Sequence, residues 1–256
     1  MIGVDEVSRH AAHFGVPQSQ IIRDHLISHA ILAIAQRTAS PDSVTFFGGT
    51  ALCRTWLPSL RLSEDIDLLV DAKSAADSIM KHVSRQLRRE FPEHQWHPVT
   101  SEHAVDTWTL VSGQTAIKVQ FVQRPEWQAV PTTETAVELR YDDLPGTTIM
   151  TVPTPAGFAA MKLMAWFDRK APRDLFDLAA QAEARHIDTT ALQLVRKVAG
   201  HWPTPTSLGI NVPKSVESTW QQELEHQLTT NRTATDCFAI LRSALGELVA
   251  HDEGQA

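Results

Sequence analysis

The stretch FFGGTALCRTWLPSLRLSEDIDLLV, from Phe46 to Val70, decides the fold that we predict for this chain. An apolar strand, Val44 to Phe47, leads into Gly48-Gly49, a helical pattern follows, and a second strand starts with Asp65 and Asp67. Side chains alternate across a strand, so the two aspartates share one face while the apolar residues between and after them face a core. We therefore expect two carboxylates side by side at the start of a buried strand.

This pair of carboxylates predicts a site for a divalent cation and a nucleotide. Neighbouring carboxylates repel each other unless a cation or a proton neutralises them, and oxygen ligands suit Mg²⁺, which leaves positions for water and phosphates. Gly48 and Gly49 lack Cβ atoms, so their backbone can approach a triphosphate, and Thr50 adds a hydroxyl at the start of a helix. Taken separately, the glycines could form only a tight turn, and Asp65 and Asp67 the solvated face of an edge strand.

The spacing of these residues resembles a known signature. Gly48-Gly49-Thr50, followed by fourteen residues and Asp65-Ile66-Asp67, resembles the GG[ST]…DxD pattern of the DNA polymerase β-like nucleotidyltransferase superfamily. The longer string GGTALCRTWLPSLRLSEDIDLL is similar to the AbiEii/MenT-type nucleotidyltransferase toxin family within it. The resemblance implies an α/β (α+β) fold: a polymerase β-like nucleotidyltransferase core with a mixed sheet, an N-terminal helix and a C-terminal helical domain.

A second segment, KLMAWFDRKAPRDLFDLAAQ, resembles another hallmark of the same family, a lysine followed by R(D)L.D. A lysine can offset charge on leaving pyrophosphate, and a carboxylate near the α-phosphate could act as a base. Without the resemblance, the acid could simply meet a helix dipole and the lysine could lie on the surface. The resemblance implies catalytic roles for Asp65, Asp67, Lys162 and Asp174, metal binding by Asp65 and Asp67, and nucleotide binding by Gly48, Gly49, Thr50, Ser63 and Arg173.

This chain differs from the superfamily pattern at the position of the third carboxylate. Relatives usually place a third carboxylate on a later strand, and the matching position in the run Ala116 to Val122 is Gln120. A neutral amide can neither accept a proton as a base nor neutralise a metal ion. Either the match is shifted, or another acid serves this role, or activity is weak.

Hydrophobic periodicity divides the chain into three parts. Apolar residues at helical spacing predict a helix over 17–37, and short alternating runs from residue 44 to 152 predict strands of a mixed sheet. From Thr154 onward the pattern is helical. We predict an N-terminal helical segment at 1–39, a nucleotidyltransferase core at 40–153 and a helical domain at 154–256. His25 and His29 are four residues apart, but no carboxylate or thiol lies at matching spacing, so we interpret them as ordinary helix residues.

Composition restricts the class of protein. The chain has 256 residues, 43% of them hydrophobic, enough to bury a core. No window approaches twenty apolar residues and no signal peptide is evident, which predicts a cytoplasmic protein without a membrane span. The net charge of −7 argues against a generally basic nucleic-acid surface, so any RNA contact must be local. Local candidates are the basic residues Arg54, Arg61, Arg85, Arg88, Arg89, Arg169, Lys170 and Arg173.

The resemblance completes the functional hypothesis. It implies an Mg²⁺-dependent enzyme that transfers a nucleoside monophosphate from an NTP to an RNA acceptor, the tRNA 3′ end, and thereby blocks translation. It also implies a toxin with a cognate antitoxin protein as partner. Two alternatives stay open. The acceptor could be a protein or small-molecule hydroxyl, or the chain could be a catalytically inactive nucleotide- or RNA-binding module, an alternative that Gln120 suggests.

Overall fold

The computed structural model describes residues 2–37, 44–71, 73–100 and 105–253. In chain order its elements are α1 (Val4–Phe14), α2 (Gln18–Arg37), β1 (Val44–Phe47), α3 (Gly48–Leu52), β2 (Asp65–Val70), α4 (Lys73–Leu87), β3 (Gln95–Val99), β4 (Val105–Ser112), β5 (Thr115–Val122), a 3-10 helix (Pro125–Ala129), β6 (Thr132–Glu138), β7 (Thr147–Pro153), α5 (Pro155–Arg169), α6 (Pro172–Glu183), α7 (Thr189–Ala199), α8 (Pro205–Leu208), α9 (Lys214–Leu224) and α10 (Ala234–Glu253).

The chain forms two compact units. One, here called the sheet unit, comprises Met1–Pro125 and Thr132–Val152, and the other, the helical unit, comprises Glu126–Pro131 and Pro153–Ala256. The predicted boundary between residues 39 and 40 lies outside the described residues. Among the helices that the structure describes, none has the length and apolar run needed to cross a bilayer.

A mixed five-stranded sheet forms the centre of the sheet unit, in the order β1-β2-β5-β4-β3. Strand β2 pairs antiparallel with β1 and parallel with β5, and the remaining pairs are antiparallel. Strands β6 and β7 form a separate two-stranded sheet. The expected α/β architecture with a mixed sheet is confirmed.

Helix α2 covers this sheet with an apolar face. Twelve of its residues are buried, eight of them hydrophobic, and it packs against α1, α4, β2 and β5. Its first turn follows Pro17, a residue that starts helices well but cannot continue them.

Left-handed backbone conformations end two elements of the sheet unit. The sequence pattern around Val137 to Tyr141 predicts a strand, but β6 ends at Glu138, because Arg140 adopts a left-handed conformation with a φ of 70° that no strand can contain. Helix α1, which we did not predict, ends at Gly15 with a φ of 67°, the usual conformation of a C-terminal cap.

The helical unit begins with a capped helix, as the pair Thr154-Pro155 predicts. The hydroxyl oxygen of Thr154 accepts a hydrogen bond from the Gly157 N–H at 3.2 Å, which satisfies one of the free donors of the first turn. Helix α6 then packs against α5, α9 and α10. The prolines between Trp202 and Pro213 predict a loop, but this segment contains the short helix α8, which a reciprocal Thr204–Ser207 capping box stabilises.

Candidate active site

The two aspartates of β2 lie on one partly exposed face of the strand. Burial alternates along β2, so Asp65 and Asp67 are half-buried while Ile66, Leu68 and Val70 are buried in the core. This is the alternation that the sequence predicts, and it places both carboxylates on the partly exposed face of the strand.

Gly48 and Asp67 are in direct contact. Phe47, the last residue of β1, pairs with Asp67, so the following glycine sits beside the Asp67 side chain. A Cβ atom on Gly48 would lie 1.9 Å from Asp67 Oδ2, and the residue has a φ of 79°. Both the close approach and the left-handed backbone require glycine here.

The next residues of the motif hold the loop that precedes β2. A Cβ atom on Gly49 would lie 2.8 Å from Arg61 Nη2 and 3.2 Å from Ser63 Oγ. The buried Arg61 also donates a hydrogen bond to the Leu62 carbonyl at 3.0 Å. Thr50 donates its hydroxyl proton to the Asp65 carbonyl oxygen and is itself buried. The Thr50 hydroxyl therefore ties α3 to β2, which is a structural contact rather than an exposed phosphate ligand.

Gln120 lies next to Asp67 on the neighbouring strand. In the parallel β2–β5 pair, Asp67 is opposite Gln120 and Asp65 is opposite Lys118. Residues opposite each other in a ladder place their side chains on the same face. The position beside Asp67 that a third carboxylate would occupy therefore carries a neutral amide.

A buried ion-pair network links the residues directly after α3 to helix α2. Arg54 Nη2 lies 2.8 Å from Asp24 Oδ1, and Arg140 Nη1 lies 3.2 Å from the same oxygen. Tyr141 donates its hydroxyl proton to Asp24 Oδ2 at 2.9 Å. Burial raises the pKa of Asp24, but the charges of Arg54 and Arg140 outweigh burial and hold it below its ordinary value. Arg54 is thus fully enclosed and is not an RNA contact, contrary to one sequence-based expectation.

In the helical unit, Lys162 and Asp174 contact each other directly. Lys162 Nζ lies 2.9 Å from Asp174 Oδ1 and 2.8 Å from Asp177 Oδ2. Burial raises the pKa of Asp174, but the charge of Lys162 and the hydrogen bonds from Arg169 hold it far below its ordinary value. An ionised carboxylate with so low a pKa is a weak proton acceptor.

Arg173 occupies a different environment on the same helix. Its Nε lies 3.3 Å from Glu223 Oε2, and both side chains are more than a third exposed. Arg173 thus projects from α6 apart from the buried pair of Lys162 and Asp174.

A basic groove in the sheet unit extends beyond the cluster that the sequence indicates. Trp96 and Trp108 stand diagonally across the β3–β4 ladder, since Trp96 pairs with Leu110 and Trp108 with Pro98. Sequence reasoning finds Arg85 and Arg88 because they are close together in the chain at the end of α4, but it misses the two tryptophans because only strand pairing places them beside that helix. The groove is lined by Arg37, Ser78, Met80, Lys81, His82, Ser84, Arg85, Arg88, Trp96 and Trp108.

The donor set on β2 fits a hard divalent cation. Asp65 and Asp67 offer carboxylate oxygens from one half-exposed face, and the missing Cβ of Gly48 leaves room for the Asp67 carboxylate. Oxygen-only ligands of this kind suit Mg²⁺.

Comparison with known proteins agrees with this geometry. Residues 30–236 match the family described as nucleotidyl transferase AbiEii toxin, Type IV TA system. A search of curated proteins found no match. Among solved structures, the chain is similar to MenT4, a nucleotidyltransferase toxin from Mycobacterium tuberculosis H37Rv, at 19% identity and a TM-score of 0.62, covering 97% of this chain and 91% of that one.

The second similar structure is an H. pylori protein assigned as a nucleotidyltransferase. It shares 18% identity with a TM-score of 0.55, and the match covers 90% of this chain and 97% of that one. At these identities the two solved structures show only a shared fold. The family match spans most of the sequence, so it is the comparison that shows the family.

Proposed function

The chain belongs to the AbiEii nucleotidyl transferase toxin family, and on that premise we propose that it transfers the nucleoside monophosphate of an NTP to an RNA hydroxyl. It is a nucleotidyltransferase of the AbiEii/MenT toxin type. We propose the tRNA 3′ end as the acceptor, the cytoplasm as the compartment, and a block of translation as the result.

One observation carries this proposal: the contact between Gly48 and Asp67. The strand that bears both aspartates runs antiparallel to the strand that delivers the glycine, so the GG and DxD parts of the motif meet. Two carboxylates and the partly exposed backbone of Gly48 and Gly49 at one strand end suit a cation-bound triphosphate.

We assign metal binding to Asp65 and Asp67. When bound there, Mg²⁺ would neutralise phosphate charge and act as a Lewis acid on the phosphoryl group. The chain's own residues orient the substrate: the backbone of Gly48 and Gly49 approaches the phosphates, and Ser63, next to Gly49, offers a hydroxyl. We propose that Arg173, which is partly exposed, adds a charged contact to phosphate.

Lys162 and Asp174 act in this proposal as a catalytic pair. The ammonium group of Lys162 would offset charge that develops on pyrophosphate. Its position depends on Asp174 and Asp177, each within 2.9 Å. Because the pKa of Asp174 is far below its ordinary value, we assign this carboxylate to holding the lysine rather than to accepting the proton of the attacking hydroxyl.

The basic groove supports a nucleic acid as acceptor. Lys81 and Arg85 are exposed on α4, Arg88 is exposed directly after its last residue, and the indole rings of Trp96 and Trp108 are half-exposed beside them. Cations that follow a phosphate backbone, combined with aromatic rings on which bases stack, are the usual features of a single-strand binding surface.

The direct test is an incorporation assay. The protein is incubated with each labelled NTP, Mg²⁺ and total RNA, and we expect label in tRNA-sized RNA. Asp65→Asn and Asp67→Asn should abolish it, whereas Asp77→Asn, the same change at an exposed position on α4, should not. Label only in protein or in a small molecule would replace the RNA acceptor, and equal activity in all variants would refute the assigned site.

Gln120 favours a second candidate, a nucleotide- or RNA-binding module without catalysis. It leaves the site with one carboxylate fewer, beside Asp67. If the protein binds NTP but releases no pyrophosphate with RNA, protein or small-molecule acceptors, this second candidate replaces the first.

Growth experiments test the toxin role in cells. Induced expression should slow growth, and Asp67→Asn should relieve the effect at equal protein levels. We propose that the cognate antitoxin is a separate protein, so co-expression of the neighbouring reading frame should also restore growth. Unchanged toxicity of the Asp67 variant would count against nucleotidyl transfer as the cause.

A further inference from the structure

Three potential metal ligands converge between α2 and the β6–β7 turn. His25 Nε2 lies 3.1 Å from Asp143 Oδ1 and 3.0 Å from Oδ2, and His29 Nε2 lies 3.3 Å from Oδ2. The two imidazole Nε2 atoms are 3.1 Å apart. His25 is buried, while the side chains of His29 and Asp143 are 16% and 29% exposed, so the cluster is open to solvent on one side.

No placement of the imidazole protons lets hydrogen bonds satisfy all three of these contacts at once. If each Nε2 carries a proton, both can donate to Asp143, but two N–H groups then face each other at 3.1 Å. If one Nε2 is unprotonated, it can accept from the other ring, but it then presents a lone pair to the carboxylate. A single cation between the three groups satisfies all of them, because every ligand atom then directs a lone pair at it.

The distances also suit a small transition metal. Nitrogen and oxygen ligands at about 2.0–2.2 Å from a tetrahedral Zn²⁺ lie about 3.3–3.6 Å from one another. The observed separations of 3.0–3.3 Å need only a slight expansion to reach that geometry. Two imidazoles with one carboxylate are a typical ligand set for Zn²⁺ and do not suit Mg²⁺, which prefers oxygen.

We propose that His25, His29 and Asp143 form a zinc-binding site, with water at the fourth position. Its ligands include two imidazole nitrogens, whereas Asp65 and Asp67 offer only carboxylate oxygens. The zinc site does not depend on the proposed transfer reaction. It uses a carboxylate more than a hundred residues from the histidines, which is why their spacing alone did not reveal it.

The surroundings of the cluster favour a bound cation. Phe91 packs against both imidazole rings, with centroids 5.7 and 5.2 Å away, and shields one side from water.

The position of the cluster indicates a structural role for the metal. His25 directly follows Asp24, which binds Arg54 and Arg140, and Asp143 lies in the same turn as Arg140 and Tyr141. A metal here would fasten α2 to that turn and stabilise the network behind α3. Zinc should therefore raise the melting temperature of the protein.

The first experiment uses the untagged full-length protein after treatment with a chelator. Titration with Zn²⁺ by calorimetry should show about one tightly bound ion per chain. Co²⁺, used as a spectroscopic probe, should give the strong visible absorption of a tetrahedral nitrogen–oxygen site. Added Zn²⁺ should displace the Co²⁺ ion and remove this absorption. Absence of stoichiometric zinc binding, or only the weak absorption of octahedral Co²⁺, would overturn the proposal.

Matched variants then locate the ion. His29→Gln and Asp143→Asn should each weaken zinc affinity by roughly a hundredfold and remove the zinc-dependent rise in melting temperature. His13→Gln and Asp142→Asn make the same chemical changes at exposed positions and should bind zinc like the natural chain. The double variant Asp65→Asn with Asp67→Asn should also keep it, and equal affinity in every variant would refute this site.

Discussion

Gly48 is the residue on which the proposed site depends most directly. It combines a φ of 79° with a position where any Cβ would collide with the Asp67 carboxylate. Gly113, in the turn between β4 and β5, has a similar φ of 57° but nothing within 4 Å of its absent Cβ. The two glycines therefore separate the cost of backbone strain from the cost of displacing Asp67.

We predict that Gly48→Ala abolishes nucleotide incorporation, whereas Gly113→Ala keeps it. Both variants should lose about 1 kcal/mol in the free energy of unfolding from the left-handed backbone. Only Gly48→Ala should shift Asp67 and lower activity by about a hundredfold or more. Incorporation assays with thermal unfolding of both variants measure the two effects, and similar activity in the two would contradict a functional contact between Gly48 and Asp67.

Gln120 offers the complementary test, since a carboxylate can be added beside Asp67. We predict that Gln120→Glu tightens Mg²⁺ binding roughly tenfold, because the new charge joins the two existing carboxylates. Gln120→Asn keeps the amide and serves as control. Metal titrations followed by calorimetry decide the matter. Unchanged Mg²⁺ affinity in Gln120→Glu would mean that residue 120 does not reach the metal, despite its place opposite Asp67 in the ladder.

At the scale of elements, helices α5 and α6 are joined by a buried ionic cluster. Lys162 and Arg169 project from α5 onto Asp174 of α6, and Asp174 is fully enclosed. If Asp174 is replaced, Lys162 keeps Asp177 as a buried charged partner, whereas Arg169, whose side chain is 60% exposed, becomes hydrated. The pair Arg173–Glu223 links α6 to α9 at the surface, where both partners are hydrated.

We predict that Asp174→Asn lowers the free energy of unfolding by about 2–3 kcal/mol, because it weakens the charge-assisted hydrogen bonds from Lys162 and Arg169. The control Glu223→Gln removes an exposed ion pair on the same helix and should cost less than about 1 kcal/mol. Urea unfolding at neutral pH measures both. Equal losses in the two variants would mean that the buried cluster contributes no more than a surface pair.

The same cluster predicts a pH dependence of stability. The pKa of Asp174 is lowered from its ordinary value of 3.8, so the folded state binds fewer protons than the unfolded chain. Its contribution is therefore complete above pH 3.8 and is lost as the pH falls toward the folded-state pKa. Unfolding of the natural chain should become easier below that pH, and Asp174→Asn should show a smaller loss over the same range.

For the whole molecule, charge distribution matters more than total charge. The net charge of −7 repels a nucleic acid, while the basic groove attracts it locally. Burial also limits which cations can contact RNA, because Arg54 and Arg61 are enclosed and add no charge to the outer surface. RNA binding should then depend on a few exposed cations and decrease steeply with salt.

We predict that the double variant Arg85→Gln with Arg88→Gln weakens tRNA binding about tenfold at low salt. The slope of log affinity against log salt should fall by about 1.4, since each lost phosphate contact removes about 0.7. Arg185→Gln with Lys214→Gln removes two exposed charges from the helical unit and serves as control. Fluorescence anisotropy over a salt series is the measurement, and equal slopes for the two double variants would exclude the groove as the RNA site.

The sequence by itself determined the local features of this protein. The period-two alternation of β2, the glycine pair at the start of α3 and the Thr154 cap of α5 all follow from short-range patterns, and the structure has them where the patterns predict. Such features depend on steric and hydrogen-bonding preferences of neighbouring residues, which a linear sequence expresses directly.

Only the tertiary structure decided which distant residues meet. Strand pairing put Gln120 beside Asp67 and Trp96 diagonal to Trp108, and the packing of α2 on the β6–β7 turn brought Asp143 to His25. These contacts depend on register and on helix placement, which arise from burial of the core as a whole. No spacing within one segment encodes them, so two histidines that look ordinary on their helix meet Asp143, and the site that we propose for zinc exists only in the folded chain.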